Sequence, residues 1–143
     1  MNGIVVGVDG SPGSQAALAW AAREAKVHGK PLTLICTWQL PVGSYGWPTL
    51  LPELLDDFKA VAADQLAKAC DAVGPALDGL EVTRTVREGS AANVLIEASE
   101  GADLLVVGTR GHGGFVGMLL GSVSAACAHH SRCPLVIVPP ERT

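Results

Sequence analysis

Two short strings of small residues carry most of the chemistry this sequence offers. Gly108-Thr109-Arg110-Gly111 is followed, after nine residues, by Gly121-Ser122-Val123-Ser124. Glycine has no Cβ, so a ligand can approach the backbone closely and the chain can take positive φ in a turn. Gly121-Ser122 stands where a helical pattern begins, and there free amides and the positive end of the helix dipole favour an anion such as phosphate. Ser122 and Ser124 would add hydroxyl donors to the same group. The stretch from His112 to Leu120, with Gly113, Gly114 and Gly117 inside it, is long enough to arch over a triphosphate. Spacing alone leaves a second reading open, in which these glycines shape a surface loop and cap a helix. Neither Gly-x-Gly-x-x-Gly nor a Gly-Lys-Ser/Thr P-loop occurs, so dinucleotide and P-loop fingerprints do not apply. Asp9, which ends the first apolar run, is either a ligand contact or a turn former bonding amides near Ser11.

The other polar residues argue for binding more than for catalysis. Arg110 and His112 lie inside the candidate phosphate segment, and both read more simply as solvated loop positions than as phosphate or acid–base groups. His129-His130 invites a metal reading, yet adjacent helical residues point roughly 100° apart. A helix-end pair facing the dipole suits them better. Trp38 and Trp47 flank a long loop and read as core or interface packing rather than base stacking. A hydrolase would need a general base and an activated nucleophile with an orienting partner. No such pair stands out and no Gly-x-Ser-x-Gly elbow occurs, so no catalytic residue is assigned.

Strand ends and helix starts must position these groups, and the pattern supplies them in alternation. Ile4 to Val8 reads as a strand, and Ser11-Pro12 as the cap and first turn of a helix burying Leu18, Ala21, Ala22 and Ala25. Leu32 to Thr37 is a second strand, followed by a long Trp38 to Pro52 loop of the kind that often forms a lid or partner contact. A helix from Glu53 to Val73 presents Leu55, Phe58, Ala62, Leu66, Ala69 and Val73 on one face. Leu80 to Val86 alternates like an edge strand, Ser90 caps a short helix through Glu100, and Leu104 to Val107 is a strand covered on both faces. Ser122 to His130 is a helix with Val123, Ala126, Cys127 and His130 on one side, and Leu135 to Val138 is the last strand. Five strands separated by helices predict an open parallel α/β sheet of Rossmann-like type. Right-handed crossovers to both faces require the order to reverse, and the natural reversal is 3-2-1-4-5. A ligand would bind at the carboxyl ends of strands one and four, which are Asp9 and Gly108.

The chain resembles the universal stress proteins over essentially its whole length. Ile4-Val5-Val6-Gly7-Val8-Asp9-Gly10-Ser11, the run from Leu104 to Gly113, Gly121 to Ser124 and Cys133 to Val138 carry the likeness. Gly108, Gly111, Gly121 and Ser122 fit the Gly-x2-Gly-x9-Gly-Ser/Thr pattern that marks the ATP-binding subgroup. The resemblance implies ATP, with magnesium as the accompanying ion. It implies Asp9 at the ribose or the metal, Gly7 and Val8 along the adenine, and Thr37 contacting adenine through its backbone. Val107 and Gly108 would flank base and ribose, and Gly111, Gly121, Ser122, Val123 and Ser124 would surround the phosphates. Family members often carry a histidine and a small apolar residue where this chain has Cys36 and Thr37. The fold implied is that of the adenine nucleotide alpha hydrolases, and the assembly implied is a homodimer joined through the last strand.

Composition sets the outer bounds. With 143 residues, 48% apolar and 17% charged, the chain is predicted to form one domain, residues 1–143, with a packed core. A net charge of -4 and scattered basic residues argue against nucleic-acid or membrane-surface partners. No apolar run approaches the roughly 20 residues of a membrane helix. The opening residues carry no basic leader, so a cytoplasmic protein is expected. Cys36, Cys70, Cys127 and Cys133 never form Cys-x-x-Cys and read as reduced thiols. The expected function is a nucleotide-dependent regulatory module in stress response, the alternative a slow, metal-dependent ATPase or related adenylate-chemistry enzyme.

Overall fold

A computed structural model of the chain describes residues 2–39, 52–109 and 120–140. Among these residues the elements run β1 (Ile4–Gly7), α1 (Pro12–His28), β2 (Leu32–Trp38), α2 (Pro52–Val73), β3 (Val82–Glu88), α3 (Ala91–Ser99), β4 (Leu104–Gly108), α4 (Ser122–His130) and β5 (Leu135–Val138). The strands form one sheet in the order β3-β2-β1-β4-β5, as expected. Every pairing is parallel, with Ile4 opposite both Leu32 and Leu104 and Gly108 opposite Val138.

Local chemistry explains the element boundaries. Ser11 sits in extended backbone and its side chain accepts from the Ser14 amide, capping α1, while Pro12 opens the helix. Ala17, Leu18, Ala21, Ala22 and Ala25 of α1 are completely buried, and the short alanines let the helix lie close on the sheet. With Leu66 and Cys70 of α2, this face covers Val6, Leu32, Leu34 and Val106. On the opposite face Val94 and Leu95 of α3 and Cys127 of α4 cover Val5, Ile35, Leu105 and Val107. Successive residues of β4 thus enter different cores, and that is why the strand reads as an unbroken apolar run.

Two stretches differ from expectation. The edge strand begins at Val82, not Leu80, because Gly74–Leu77 forms a 3-10 turn and the Leu80 amide bonds the Leu77 carbonyl. The shift is two residues, one full side-chain period, so the same residues still share a face. In α4 the buried residues are Ser124 and Cys127, and His130 is exposed. An inward bond from Ser124 centres the buried face one step away from the Val123–His130 line. No described helix is long and apolar enough to cross a membrane.

Candidate functional site

The order of the strands reverses between β1 and β4. The helix after β1 packs on one face of the sheet and the helix after β4 on the other. Their first turns therefore flank the carboxyl ends of these two neighbouring strands, the position where open α/β sheets receive ligands.

On the β1 side, the Val8 amide donates to the Ile35 carbonyl (2.9 Å), and Gly10 takes φ of 83°, a left-handed turn that suits glycine. Asp9 Oδ1 accepts the Ser11 amide at 2.9 Å, and the Asp9 amide donates to Ser14 Oγ at 3.2 Å. The Ser14 amide returns to Ser11 Oγ at 3.2 Å. Asp9 is thus a turn former, as one of its two readings had it, and the turn uses one carboxylate oxygen. Ser14 was not singled out in the sequence, although its spacing of three from the capping serine is that of a capping box.

On the β4 side, Gly108 has a reason for being glycine that its sequence position does not reveal. A Cβ there would lie 2.7 Å from the carbonyl carbon of Gly13, 2.8 Å from its oxygen and 3.1 Å from the Ser14 amide nitrogen. The space is filled by the backbone of α1. Gly13 and Gly108 form a seat that sets how near the Asp9 turn lies to the end of β4. The next residue, Thr109, donates its amide to Val138 (3.2 Å), and its carbonyl accepts from both the Gly121 amide (2.7 Å) and Ser124 Oγ (2.7 Å). The two bonds to the Thr109 carbonyl join the end of β4 directly to the start of α4.

Gly121 is the N-cap of α4 in extended backbone, and among the described residues no side chain caps this helix. By contrast, serines cap α1 and α3: Ser11 through the Ser14 amide and Ser90 through the Asn93 amide. Ser122 is exposed at the first helical position, Val123 half-buried and Ser124 buried. An uncapped first turn carrying an exposed hydroxyl fits an anion.

The other expected residues that the structure describes lie at or next to the ends of β1, β2 and β4. Gly7 is half-buried, and a Cβ there would lie 2.8 Å from Leu95 Cδ1. Val8 and Val107 are only 3% and 4% exposed and belong to opposite cores, so their backbones alone can face a ligand. Thr37 is half-buried in β2 opposite Arg87, one residue beyond buried Cys36. Gly111, Arg110, His112 and Trp47 lie outside the described residues, as does most of the Trp38 to Pro52 loop.

Cys36 lies beside the candidate site. Its Sγ is 3.6 Å from Gln65 Oε1, and burial, with a smaller contribution from the Asp9 charge, pushes its thiol up to about 11. The cysteines are free thiols, with Cys36, Cys70 and Cys127 buried. Among the described residues no cluster of three or more His, Cys, Asp or Glu could hold a metal by itself. Magnesium does not need one when phosphates arrive with it, because it commonly takes one or two carboxylates plus phosphate oxygens. A single carboxylate at Asp9 is compatible with that.

Known proteins share this sequence pattern and fold. The model for the universal stress protein family matches residues 1–139. A universal stress protein of Mycolicibacterium smegmatis is 40% identical over 144 residues, covering 95% of this chain and 47% of that protein. The chain spans about half the length of the curated relatives it matches. Among solved structures, the universal stress protein UspA from Lactobacillus plantarum has a TM-score of 0.80 at 24% identity, over 96% of this chain and 97% of that one. A universal stress protein solved in complex with cAMP has a TM-score of 0.72 at 27% identity, over 98% of each chain. Family model, sequence relatives and fold agree, and the chain belongs to the universal stress protein family.

Proposed function

We propose that this chain is an ATP-binding regulatory module of the stress response. The observation that carries the reading is the uncapped first turn of α4, bonded to the end of β4 at the strand reversal. Phosphates would meet the backbone of Gly121, Ser122 and Val123 and the Ser122 hydroxyl, with Ser124 beneath them and Gly111 of the connecting segment nearby. The ribose, or a magnesium ion held by the phosphates, would meet the carboxylate oxygen of Asp9 that the turn does not use. Adenine would lie along the backbones of Gly7, Val8 and Thr37, with Val107 and Gly108 between base and ribose. The related structure with cAMP supports an adenine nucleotide in this fold. Occupancy would stabilise one arrangement of the segments around the site and so alter partner binding.

A second copy of the chain is the partner proposed for β5. That strand is the end of the sheet and pairs only with β4 among the described strands. An apolar edge of this kind is normally covered. Light scattering at micromolar concentration should give a dimer, and a monomer throughout would refute it.

Heat release of nucleotide from the purified protein tests the main reading. ATP should be recovered from the wild type and lost from a Gly121→Ala, Ser122→Ala variant with unchanged circular dichroism. Retention by that variant would refute the site, and a wild type without measurable ATP affinity would refute the function.

A further inference from the structure

We infer that Ser124 serves this site by latching the carbonyl of Thr109, not as a phosphate ligand, a reading that rests on the proposed ATP binding. A serine hydroxyl has one proton to give. The Ser124 Oγ lies 2.7 Å from the Thr109 carbonyl, the preferred O–H to O separation, and 3.1 Å from the Gly121 carbonyl. Both neighbours are acceptors, so the proton is committed within the junction. The lone pairs that remain can only accept, and a phosphate oxygen needs a donor. Ser124 is 2% exposed, whereas Ser122 at the head of the same helix is exposed. The two serines therefore divide the work: Ser122 faces outward, where an anion would sit, and Ser124 fixes the helix that presents it.

The latch has a second strand. The Gly121 amide donates to the same Thr109 carbonyl, 2.7 Å away. Together the two bonds set the distance and angle between the end of β4 and the first turn of α4. Through Gly108 the same strand end also seats the first turn of α1. Removing the Ser124 hydroxyl leaves one bond where there were two. The amides of α4 then lose part of their aim without losing any contact to ligand.

Amide hydrogen exchange on the nucleotide-free protein, combined with ATP titration calorimetry, tests this on Ser124→Ala and Ser124→Thr. Loss of one hydrogen bond should speed exchange at the Gly121 amide about five- to tenfold in Ser124→Ala and weaken ATP by a similar factor. Ser124→Thr, which keeps the hydroxyl, should restore both. Weakened ATP with unchanged Gly121 exchange would make Ser124 a direct ligand and overturn the inference. Faster exchange with unchanged ATP affinity would make the bond merely structural and overturn it equally. A wild type that binds no ATP overturns the parent reading as well, a result distinct from either of these.

Discussion

Replacing Gly108 by alanine tests the contact on which the site's two halves depend. The added Cβ would meet the Gly13 carbonyl carbon at 2.7 Å and its oxygen at 2.8 Å. Both are backbone atoms of a helix whose inner face is buried against the sheet, so no rotamer change can relieve the clash. The first turn of α1 must withdraw by about 0.7 Å to reach ordinary contact, and overpacking of this kind costs about 1–3 kcal/mol. For a chain of 143 residues the entropy of unfolding is about 0.3 kcal/mol/K, so Tm should fall by about 3–10 °C. The displacement should reach Asp9, whose amide is held by Ser14 Oγ. Calorimetry and amide chemical shifts of the Asp9–Ser14 turn read the two effects separately. Gly101→Ala is the control: its φ is 81° and a Cβ there meets nothing within 4 Å, so its cost of about 1–2 kcal/mol is backbone strain alone. It should leave the Asp9–Ser14 shifts in place. An unchanged Tm in Gly108→Ala, or a lowered Tm with unmoved Asp9–Ser14 resonances, would refute the seat.

Other consequences follow from buried groups. Ser99 is fully buried; its Oγ donates to the Ile96 carbonyl (2.6 Å) and accepts the Arg132 amide (2.9 Å), so Ser99→Ala should cost about 1–2 kcal/mol by chemical denaturation. The Cys36 thiol, with a pKa raised by burial and then by Asp9 to about 11 against 9.0 for an exposed thiol, should make stability decline as pH rises from about 9 to 11. In that window the unfolded chain has already given up the proton that the folded chain keeps, so it binds fewer protons and unfolding is favoured. Cys36→Ala should show a shallower decline than the wild type in denaturation curves across that range.

Much of the fold was legible because each element has a local cause. Ser11-Pro12 starts α1 and Gly29 ends it in left-handed backbone, as capping chemistry requires. Leu104 to Val107 is apolar at every position because both faces are covered. Where the reading slipped, a hydrogen bond to a backbone carbonyl intervened. Leu80 left its strand for a turn with Leu77, and α4 rotated toward the Thr109 carbonyl. Neither bond leaves a trace in hydrophobic periodicity, because each has a backbone carbonyl as its acceptor.

The candidate site divides along the same line. By itself the sequence determined the glycine and serine spacing, Asp9 at a strand end, and the strand order, since right-handed crossovers leave little choice once helices must cover both faces. Only the tertiary structure decided what those residues do for one another. Gly108 is small for the sake of Gly13, ninety-five positions earlier, and Ser124 spends its proton on Thr109. Close approach and hydrogen-bond direction belong to pairs of segments, and a residue type records only its own half of such a pair.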